Sequence, residues 1–456
     1  MASVAVAGAG IAGLVAAHQL TKLGFDVTVF EASHRAGGEI WSERSDGYLV
    51  ELGPNTIQSR GPVLEALIDE LGLAPELVEA RPEAKKRYIV KAGKPLPIPT
   101  GPLSFVSSTL FSPAAKLRIL REPFNRDAPS SDEESVADFA QRRFGQEILD
   151  YAVNPFIAGI YAGDPEELSI RHTFPSLYEL EKAHGSLIGG QFKRMGARKD
   201  KAGPRRRRGR MFSFENGLEI LPRALAGRLG NKVHYGAPLV SVQHSEDGWN
   251  LTVGGNGAAA EHPFDALLLA IPLHRFAEVE VETWMDLTPL REVVYAPVSV
   301  VALGYQADAV AHPLDGFGML VPARESQFQI LGTLFSSTLF AGRAPDGHVL
   351  LTSFVGGQRH PHLTRLGDEE LVGIVHRDLS RLLGIKSEAA FAQVAHWSHA
   401  IPQYRKGYGL VRQTMERLEQ EHPGLYLAGS FRSGVSVGDT ASSAIRAAEA
   451  LAKHLT

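Results

Sequence analysis

The chain opens with short apolar blocks around a glycine-rich turn, a pattern that predicts a β-α-β unit. Residues 3–7 and 27–30 have the short, continuous apolar character of buried parallel strands. The segment between them predicts a helix that ends near Leu23, with Gly24 at its C-terminal cap. Its apolar positions include Ile11, Leu14, Val15 and Leu20. Two parallel strands joined by a helix imply a right-handed crossover.

Apolar spacing predicts further elements along the chain. Residues 62–71 have helical periodicity and stop at Gly72, and Ser135 with Asp138 resembles a capping box at the start of another helix. The remaining predictions are a hairpin over 233–253 with its turn at 246–248, short buried strands at 266–270 and 425–428, mixed α and β structure over 273–405, and a closing helix from about Ala441.

Two segments depart from regular periodicity. Residues 95–113 are apolar but interrupted by five prolines, and they predict an irregular, exposed surface. The apolar side chains expected there are Leu103, Phe105, Val106, Leu110 and Phe111. Residues 193–210 form a basic, glycine-punctuated run with four arginines at 205–208, which predicts a solvated loop in preference to a contact with anionic lipid.

Composition narrows the class of protein. The 456 residues are 44% hydrophobic and 21% charged, as in a globular protein of several domains, and the net charge of −4 gives no reason to expect a nucleic-acid partner. With no cysteine, the chain has no disulfide, thiolate metal site or Cys-linked cofactor. The first lysine, Lys22, follows the apolar start, unlike a signal peptide, and no membrane span is expected. A cytoplasmic location, at most peripheral on a membrane, is therefore predicted.

The motif Gly8-Ala9-Gly10-Ile11-Ala12-Gly13 predicts a dinucleotide site because it joins the first strand to the first helix. Gly8 permits the tight turn, Gly10 lets a pyrophosphate approach, and Gly13 allows close helix packing. Glu31, about 20 residues further on, suits a ribose diol and disfavours a 2′-phosphate, so NADP is not expected. The motif alone leaves FAD and NAD open.

Two later elements bear on that choice. Arg35-Ala36-Gly37-Gly38 follows the acidic residue, and Glu51-Leu52-Gly53-Pro54-Asn55 comes soon after. The combination resembles the flavin-containing amine oxidase superfamily, in which an Arg-x-Gly-Gly element helps to enclose FAD. An NAD dehydrogenase does not need this element.

Three further segments narrow the resemblance. They are residues 159–175, beginning Gly159-Ile160-Tyr161-Ala162-Gly163-Asp164; residues 316–322, Gly-Phe-Gly-Met-Leu-Val-Pro; and Ile401-Pro402-Gln403-Tyr404 with the later Leu427-Ala428-Gly429-Ser430 and Gly434-Val435-Ser436-Val437. In order and spacing they resemble the oxygen-dependent protoporphyrinogen oxidase family over nearly the whole chain.

This resemblance implies a fold of α/β plus α+β type. An FAD-binding Rossmann-like domain of the p-hydroxybenzoate hydroxylase type would comprise residues 1–85, 211–272 and 406–456. A helical membrane-associated domain, through which the substrate enters, would comprise residues 86–210. A substrate-binding domain would comprise residues 273–405.

The resemblance also implies a reaction of haem biosynthesis. Flavin N5 would accept hydride from a porphyrinogen, O2 would reoxidise the flavin to give H2O2, and three cycles would convert protoporphyrinogen IX to protoporphyrin IX. FAD would be bound non-covalently, the flavin itself would carry the chemistry, and no metal is implied. A membrane surface, a second copy of the chain and the next haem-pathway enzyme are the candidate partners beside the porphyrinogen and O2.

The site residues that the resemblance implies form two sets. The substrate would be held by Arg87, Gly159, Phe317, Gly318, Leu320 and Phe354. The cofactor would be held by Gly8, Gly10, Ile11, Ala12, Gly13, Glu31, Ala32, Arg35, Gly37, Gly38, Gly53, Pro54, Asn55, Leu239, Trp397, Gly429, Val435, Val437 and Asp439. Gly438 departs from the usual Asn of the family, and Asn55 stands where some relatives have Arg.

Alternatives remain at this stage. Residue type alone favours core positions for Phe317 and Phe354 and a solvated strand position for Arg87. Gly434-Val435-Ser436-Val437-Gly438 matches a nucleophile elbow but lacks suitably spaced partners, and His360-Pro361-His362 is a weak metal motif. The rival functions are coproporphyrinogen III oxidation, amine oxidation, carotenoid desaturation and a non-enzymatic FAD-stabilised interaction protein.

Overall fold

The computed structural model describes residues 1–58, 62–125, 127, 131, 133–191, 193, 209–246, 248–255, 260–281 and 286–456. The four arginines at 205–208 and Asp247 of the predicted hairpin turn lie outside the described residues. The described residues contain five β-sheets and helices distributed between them.

The first strand, Ser3–Ala7, lies at the centre of a five-stranded sheet, called here the parallel sheet. Every neighbouring pair in it is parallel. The strands in spatial order are Val233–Tyr235, Asp26–Glu31, Ser3–Ala7, Ala266–Leu269 and Leu425–Leu427. The strands predicted near both ends of the chain and at 266–270 are thus confirmed. The first part of the hairpin predicted over 233–253 is wrong, because Val233–Tyr235 is the edge strand of this sheet.

Both faces of the parallel sheet are buried because its strands are apolar on both sides. Helices cover one face, and the antiparallel sheet that contains Leu239–Ser245, Gly248–Val253 and Ala260–Phe264 packs against the other. Helix Ile11–Lys22 packs with helix Val437–Leu455 on one face, where Leu14, Leu20 and Leu451 are fully buried. The closing helix begins four residues before the predicted Ala441. Ser436 caps it by accepting a hydrogen bond from Asp439 N at 3.1 Å.

The largest sheet has seven strands and is called here the seven-stranded sheet. Its strands in spatial order are Phe391–Pro402, Tyr295–Gln306, His348–Gly356, Ile330–Phe335, Gly316–Leu320, Lys86–Lys91 and Lys94–Pro97. It is antiparallel except where Gly316–Leu320 runs parallel to Lys86–Lys91. Helix Asp368–Leu383 buries an apolar stripe against one face.

The other elements complete a mixed α/β architecture, as predicted. The smaller sheets consist of Ala260–Phe264, Gly248–Val253, Leu239–Ser245 and Glu280–Val281; of Ser42–Ser45 and Tyr48–Glu51; and of Ile57–Gln58, Met211–Phe214 and Leu77–Glu79. Among the described residues, the other α-helices of four or more residues are Pro62–Glu70, Pro102–Ser107, Pro113–Arg121, Val136–Phe144, Asn154–Tyr161, Ile170–Thr173, Pro175–His184, Ile220–Leu229, Thr288–Arg291, Ser336–Leu339, Tyr408–Glu421 and Ser430–Ser433. A π-helical turn lies at Leu149–Val153, and 3-10 helices of four or five residues lie at Pro82–Lys85, Leu273–Ala277 and Pro361–Arg365.

The proline-rich segment after residue 95 is more ordered than its pattern predicts. It contains helix Pro102–Ser107, and Leu110 and Phe111 are buried against Ile89 and Ile148, so their predicted exposure is wrong. The prediction holds for two other side chains: Leu103 is 88% exposed and Val106 is 73% exposed. Among the residues that the structure describes, no helix combines the length and the apolarity needed to cross a bilayer.

Candidate active site

The turn after the first strand has the geometry of an anion-binding loop. A Cβ built on Gly13 would lie 1.8 Å from the Gly8 carbonyl oxygen, and Gly8 itself has a φ of +103°, which favours glycine. At Gly10, in contrast, a Cβ would meet no non-neighbouring atom of the described residues within 4 Å. Gly10 caps the helix that begins with the buried Ile11 and Ala12 and offers no side chain to its free N–H groups. No described side chain caps these N–H groups, which leaves them available to a phosphate.

Glu31 ends the second strand beside this turn. Its carboxylate accepts hydrogen bonds from Ala9 N at 2.7 Å and from Ser33 N at 2.8 Å. A carboxylate has about four lone-pair positions, so two acceptors remain for another partner. Ala32, the next residue, is exposed. Both predicted residues thus lie at the carboxyl end of the parallel sheet.

The Arg35 element folds back over the turn. Gly37 N donates to Ala9 O at 2.8 Å, and a Cβ on Gly38 would lie 3.3 Å from the Gly10 Cα. The Arg35 guanidinium does not face the turn, since it donates to the carbonyls of residues 36, 38 and 40 and lies 4.9 Å above the Trp41 ring. Arg35 therefore fixes the shape of the loop that brings both glycines against the turn.

The predicted Gly53-Pro54-Asn55 element packs against the same loop. A Cβ on Gly53 would lie 1.8 Å from the Glu39 carbonyl oxygen, so glycine is required for this approach. Asn55 Nδ2 donates to Gly53 O at 2.9 Å and stiffens the corner. Trp397 Nε1 donates to Leu52 O at 2.6 Å, which joins the seven-stranded sheet to this corner.

The remaining predicted cofactor positions follow other strands of the parallel sheet. Gly429 lies two residues after the end of strand Leu425–Leu427. Leu239 follows the edge strand Val233–Tyr235, and in the loop between them Ala237 N donates a hydrogen bond to the Glu31 carbonyl oxygen. Val435, Val437 and Asp439 flank the start of the last helix. The carboxyl ends of parallel strands meet at one edge of a sheet, so the structure brings these positions together.

The predicted substrate positions lie on or against the seven-stranded sheet. Leu320, Gly332, Phe354 and Val300 form one row across four strands, and their side-chain positions therefore share one face. Gly332 interrupts the row between Leu320 and Phe354, which are both only partly buried. A Cβ on Gly159, from a neighbouring helix, would lie 2.8 Å from Leu320 Cδ2. Glycine at positions 159 and 332 thus lets the Leu320 side chain pack closely, and these residues form an apolar strip, called here the apolar slot.

Arg87 lies at one side of this slot. It pairs with Gly318 in the parallel register, and its guanidinium carbon lies 5.2 Å from the centre of the Phe317 ring. Arg87 is exposed, whereas Phe317 is partly buried on a bulge and packs against Leu334 and Phe340. The structure thus places Phe317 outside the row that contains Leu320 and Phe354.

Three residues that the sequence reasoning missed belong to this region. Gly332 is one, and its role depends on cross-strand register. Glu39 is the second, and burial raises its pKa to about 8. Arg359 is the third: it donates to Val321 O at 2.7 Å and to Asn154 Oδ1 at 3.2 Å, and so ties the Gly159 helix to the strand of Leu320. The glycine neighbouring Glu39 was the available sequence signal.

Two motifs with rival interpretations have structural roles. Ser436 of the elbow-like motif is a helix cap whose hydroxyl also donates to Asp439 Oδ2. His360 and His362 lie with ring centres 6.1 Å apart near a short turn. Within the described part of the chain, no group of three or more His, Asp or Glu side chains could hold a metal ion.

Comparison with known proteins decides the family. The model of the flavin containing amine oxidoreductase family matches residues 11–452. The chain belongs to this family of flavin enzymes. Among curated members, protoporphyrinogen oxidase 2 of Arabidopsis thaliana is 37% identical over 99% of this chain and 94% of its own. The mitochondrial protoporphyrinogen oxidase of Nicotiana tabacum is also 37% identical, over 99% and 95%.

Other flavin amine oxidoreductase relatives extend the comparison. Coproporphyrinogen III oxidase of Bacillus subtilis is 29% identical over 96% of this chain and 95% of its own. A crystal structure from Exiguobacterium sp. 255-15 matches with a TM-score of 0.82 at 24% identity, covering 99% of both chains, and a reduced UDP-galactopyranose mutase matches with 0.74 at 16%, covering 100% and 95%. These two superpositions show the fold alone. The resemblance predicted from the sequence is confirmed.

The flavin that this family implies fits the residues present. The space before the helix N-terminus at Gly10 has no side chain in it, and Gly13, Gly38 and Gly53 allow backbone to approach backbone around it. Free helix N–H groups suit a pyrophosphate, and Glu31 has acceptors to spare for hydroxyl groups.

Proposed function

We propose that this chain catalyses the FAD-dependent oxidation of protoporphyrinogen IX to protoporphyrin IX, with O2 as acceptor and H2O2 as the second product. The observation that carries the proposal is the end-to-end similarity, at 37% identity, to enzymes that bear this name. The apolar slot beside the dinucleotide loops supports it, because a porphyrinogen is a wide, mostly apolar ring with carboxylates at one edge.

Each group of residues has a proposed role. FAD, when bound, would supply the hydride acceptor and pass the electrons to O2. The Gly8–Gly13 turn, Glu31, the 35–38 loop, Gly53–Asn55, Leu239, Trp397 and the 429–439 segment would hold its dinucleotide and ring. Leu320, Gly332 and Phe354 would contact the broad face of the substrate, Gly159 would leave room for it, and Arg87 would pair with a propionate.

Coproporphyrinogen III is the second candidate substrate. The similarity to bacterial coproporphyrinogen III oxidases, which also spans nearly the whole chain, favours keeping it. That substrate has four propionates in place of two and would need more cationic contacts than Arg87 supplies.

Porphyrin fluorescence tests the proposal. The purified protein, reconstituted with FAD, is mixed in air with each porphyrinogen, and the rate is compared with spontaneous oxidation. Faster oxidation of protoporphyrinogen IX supports the main proposal, and oxidation of coproporphyrinogen III alone would replace it by the second candidate. If a yellow, FAD-loaded protein oxidises neither, both substrates are wrong.

Removal of the Arg87 guanidinium is expected to weaken substrate binding. A charge-assisted hydrogen bond contributes about 1.5–3 kcal/mol, so Arg87→Ala is expected to raise KM roughly tenfold to a hundredfold while kcat falls much less. Arg87→Lys should recover part of the loss, since it keeps the charge without the bidentate fork. Steady-state kinetics measures both.

Lys94→Ala is the matched control for this experiment, because Lys94 is an exposed cation on the adjacent strand. An equal rise in KM for the Lys94 variant would assign the effect to general surface charge.

We further propose the three-part division predicted from the sequence, with residues 86–210 as the part that meets a membrane surface. An apolar ridge supports this, formed by exposed residues of helices Pro102–Ser107 and Pro113–Arg121 and of the following turn: Leu103, Val106, Leu117, Leu120 and Phe124. Lys116 Nζ joins the two helices by donating to Val106 O and Ser108 O, each at 2.7 Å. A homodimer and contact with the next haem-pathway enzyme stay predictions of the resemblance.

Substitution of glutamate for apolar residues of the ridge is expected to weaken vesicle binding strongly. Burial of one such side chain contributes about 1.5–3 kcal/mol, so Leu103→Glu with Phe124→Glu should weaken sedimentation with phosphatidylglycerol-containing vesicles at least about a hundredfold. Leu410→Glu, at another exposed leucine, should leave sedimentation unchanged. Equal binding by all variants would exclude the ridge as the membrane contact.

A further inference from the structure

Glu39 occupies a central position in the dinucleotide region. It follows Gly38, which lies against Gly10 at the helix N-terminus, and its own carbonyl oxygen lies against Gly53. The loop on which it stands is fixed from behind by Arg35, which donates to Ile40 O at 3.1 Å. Glu39 is therefore held between the anion-binding turn and the Gly53 corner.

No residue that the structure describes offers the Glu39 carboxyl a polar partner. Within the described residues no hydrogen bond or ion pair reaches it, whereas the nearby Glu31 and Glu51 carboxylates each accept several. Protein surrounds Glu39 deeply enough to raise its pKa to about 8 through desolvation alone. Part of its surface nevertheless stays accessible. A carboxyl that is largely surrounded by protein, partly accessible and without a described partner is open to a bound ligand.

A second titratable group, the Tyr295 phenol, lies within electrostatic range of the Glu39 side chain. The charge of Glu39 contributes to the raised pKa of the Tyr295 phenol, whose main cause is burial. Tyr295 Oη accepts a hydrogen bond from Leu273 N at 3.0 Å, and the segment before Leu273 packs against Gly8 and Gly13. The Glu39 carboxyl thus lies within electrostatic reach of the opposite wall of the region.

An unpartnered carboxyl at the edge of a site for an anionic dinucleotide would be repelled by the ligand if it were ionised. In its neutral form it is a donor that can bond a phosphate oxygen or a ribityl hydroxyl. We propose that Glu39 binds the flavin dinucleotide as a neutral carboxylic acid and that flavin affinity depends on its protonation. This inference rests on the proposed FAD site and does not depend on the substrate.

The sign of the pH dependence follows from linkage. A bound pyrophosphate disfavours the Glu39 carboxylate, so its pKa in the complex lies above the value of about 8 in the free protein. Binding then takes up a proton, and affinity falls as the pH rises above 8, by up to about tenfold per pH unit.

The other titratable groups on the surrounding elements are Glu31, Arg35, Glu51, Tyr295 and His274. Burial raises the pKa of Glu51 to about 7, but Ser42 Oγ and Leu218 N donate to its carboxylate and the Arg343 guanidinium lies 3.4 Å away. Its titration is the same in Glu39→Gln, so a pH dependence lost in that variant belongs to Glu39. Burial holds the His274 pKa at about 4, so this ring stays neutral at and above pH 6. The pKa of the Tyr295 phenol is raised, and this group also keeps its charge state in that range. Glu31 already accepts two backbone N–H groups, and Arg35 donates to three carbonyls.

The test is FAD binding to the flavin-free full chain, followed by quenching of flavin fluorescence between pH 6.5 and 9. For the parent protein, Kd is expected to rise about tenfold from pH 7 to pH 9. Glu39→Gln keeps the donor and the shape, so its Kd should stay close to the parent value at pH 7 and lose the dependence. Glu39→Ala should bind FAD about tenfold more weakly at pH 7, as expected for one lost hydrogen bond, with a flat profile.

Glu388→Gln, at an exposed carboxylate with 94% of its side chain accessible, is the control and should follow the parent profile. A flat parent profile, an unchanged pH dependence in Glu39→Gln, or parent-like binding by Glu39→Ala would each overturn the inference. If neither the parent protein nor any of these variants binds FAD, the inference about Glu39 and the proposed FAD site are both wrong. Intact, pH-dependent binding without porphyrinogen oxidation would refute only the proposed substrates.

Discussion

A valine at Gly10 is expected to leave the protein folded and to remove its flavin. Gly10 has a φ of −68° and a ψ of 175°, a conformation that any L-residue adopts, and its Cβ would enter space that is free of other described atoms. That space lies in front of the helix N-terminus, where a pyrophosphate would have to approach. Gly10→Val should therefore weaken FAD binding at least about a hundredfold, the scale of losing two or more charge-assisted hydrogen bonds.

Gly13 provides the contrasting variant. Its Cβ would lie 1.8 Å from the Gly8 carbonyl oxygen, so Gly13→Ala must displace the first helix. We expect this variant to lose about 1–3 kcal/mol of unfolding free energy as well as its flavin. Flavin content after purification and thermal unfolding separate the two effects.

Gly227→Val is the matched control, since its Cβ also meets no non-neighbouring described atom within 4 Å. A variant at this helix position should retain full flavin, and its helix propensity should change by less than roughly 0.5 kcal/mol, in the stabilising direction, because glycine is the poorer helix former. Full flavin in Gly10→Val would mean that the dinucleotide does not cross the helix N-terminus.

Removal of the Arg143 side chain is expected to be the most destabilising single change in the helical segment. Arg143, with 4% of its side chain exposed, bonds Glu181 and donates to Asn125 O and Gly185 O, each at 3.0 Å. The fully buried Glu122 lies 3.8 Å away. Arg143→Ala leaves these carboxylates with less compensation, which typically costs about 3–5 kcal/mol for a buried pair.

Denaturant unfolding of Arg143→Ala measures this loss, with Arg228→Ala as control. Arg228 is exposed and makes one long contact of 3.5 Å, so its removal should change stability by no more than about 0.5 kcal/mol. A comparable effect of the two substitutions would show that the buried network is not what stabilises this segment.

Acid should weaken the same network. Burial favours the neutral form of Glu181, but hydrogen bonds from Arg142 and Arg143 outweigh it and lower the pKa of this carboxyl. A depressed pKa means that the stabilisation is present above the unfolded-state pKa of about 4.3 and is lost as the pH falls below it.

The elements that could be predicted from the sequence are those formed by residues close together in the chain. The β-α-β unit, the glycine turn and the Ser135 cap depend on residues that are close in sequence. The hairpin Leu239–Ser245 with Gly248–Val253 was also predictable, but its assumed first part, Val233–Tyr235, pairs with a strand 200 residues away. Such pairing leaves little trace in local periodicity.

The candidate site also contains residues that local sequence could predict and residues that it could not. The Gly8–Gly13 turn could be assigned from its motif, whereas the slot residue Gly332 becomes visible only in the register that places it between Leu320 and Phe354. For Glu39, the preceding Gly37-Gly38 marks the loop in the sequence but not the carboxyl itself. What distinguishes this carboxyl is that no described residue offers it a polar partner, which only the structure shows.

The order of strands in the parallel sheet has a consequence for synthesis. Ser3–Ala7 is made first, but one of its neighbours is Ala266–Leu269, and the edge strand Leu425–Leu427 follows much later. At about 5–20 residues per second, the ribosome needs roughly 20–80 s between the first strand and the last. During that time the nascent first helix lacks its partner Val437–Leu455, so chaperone occupancy should persist until translation is nearly complete.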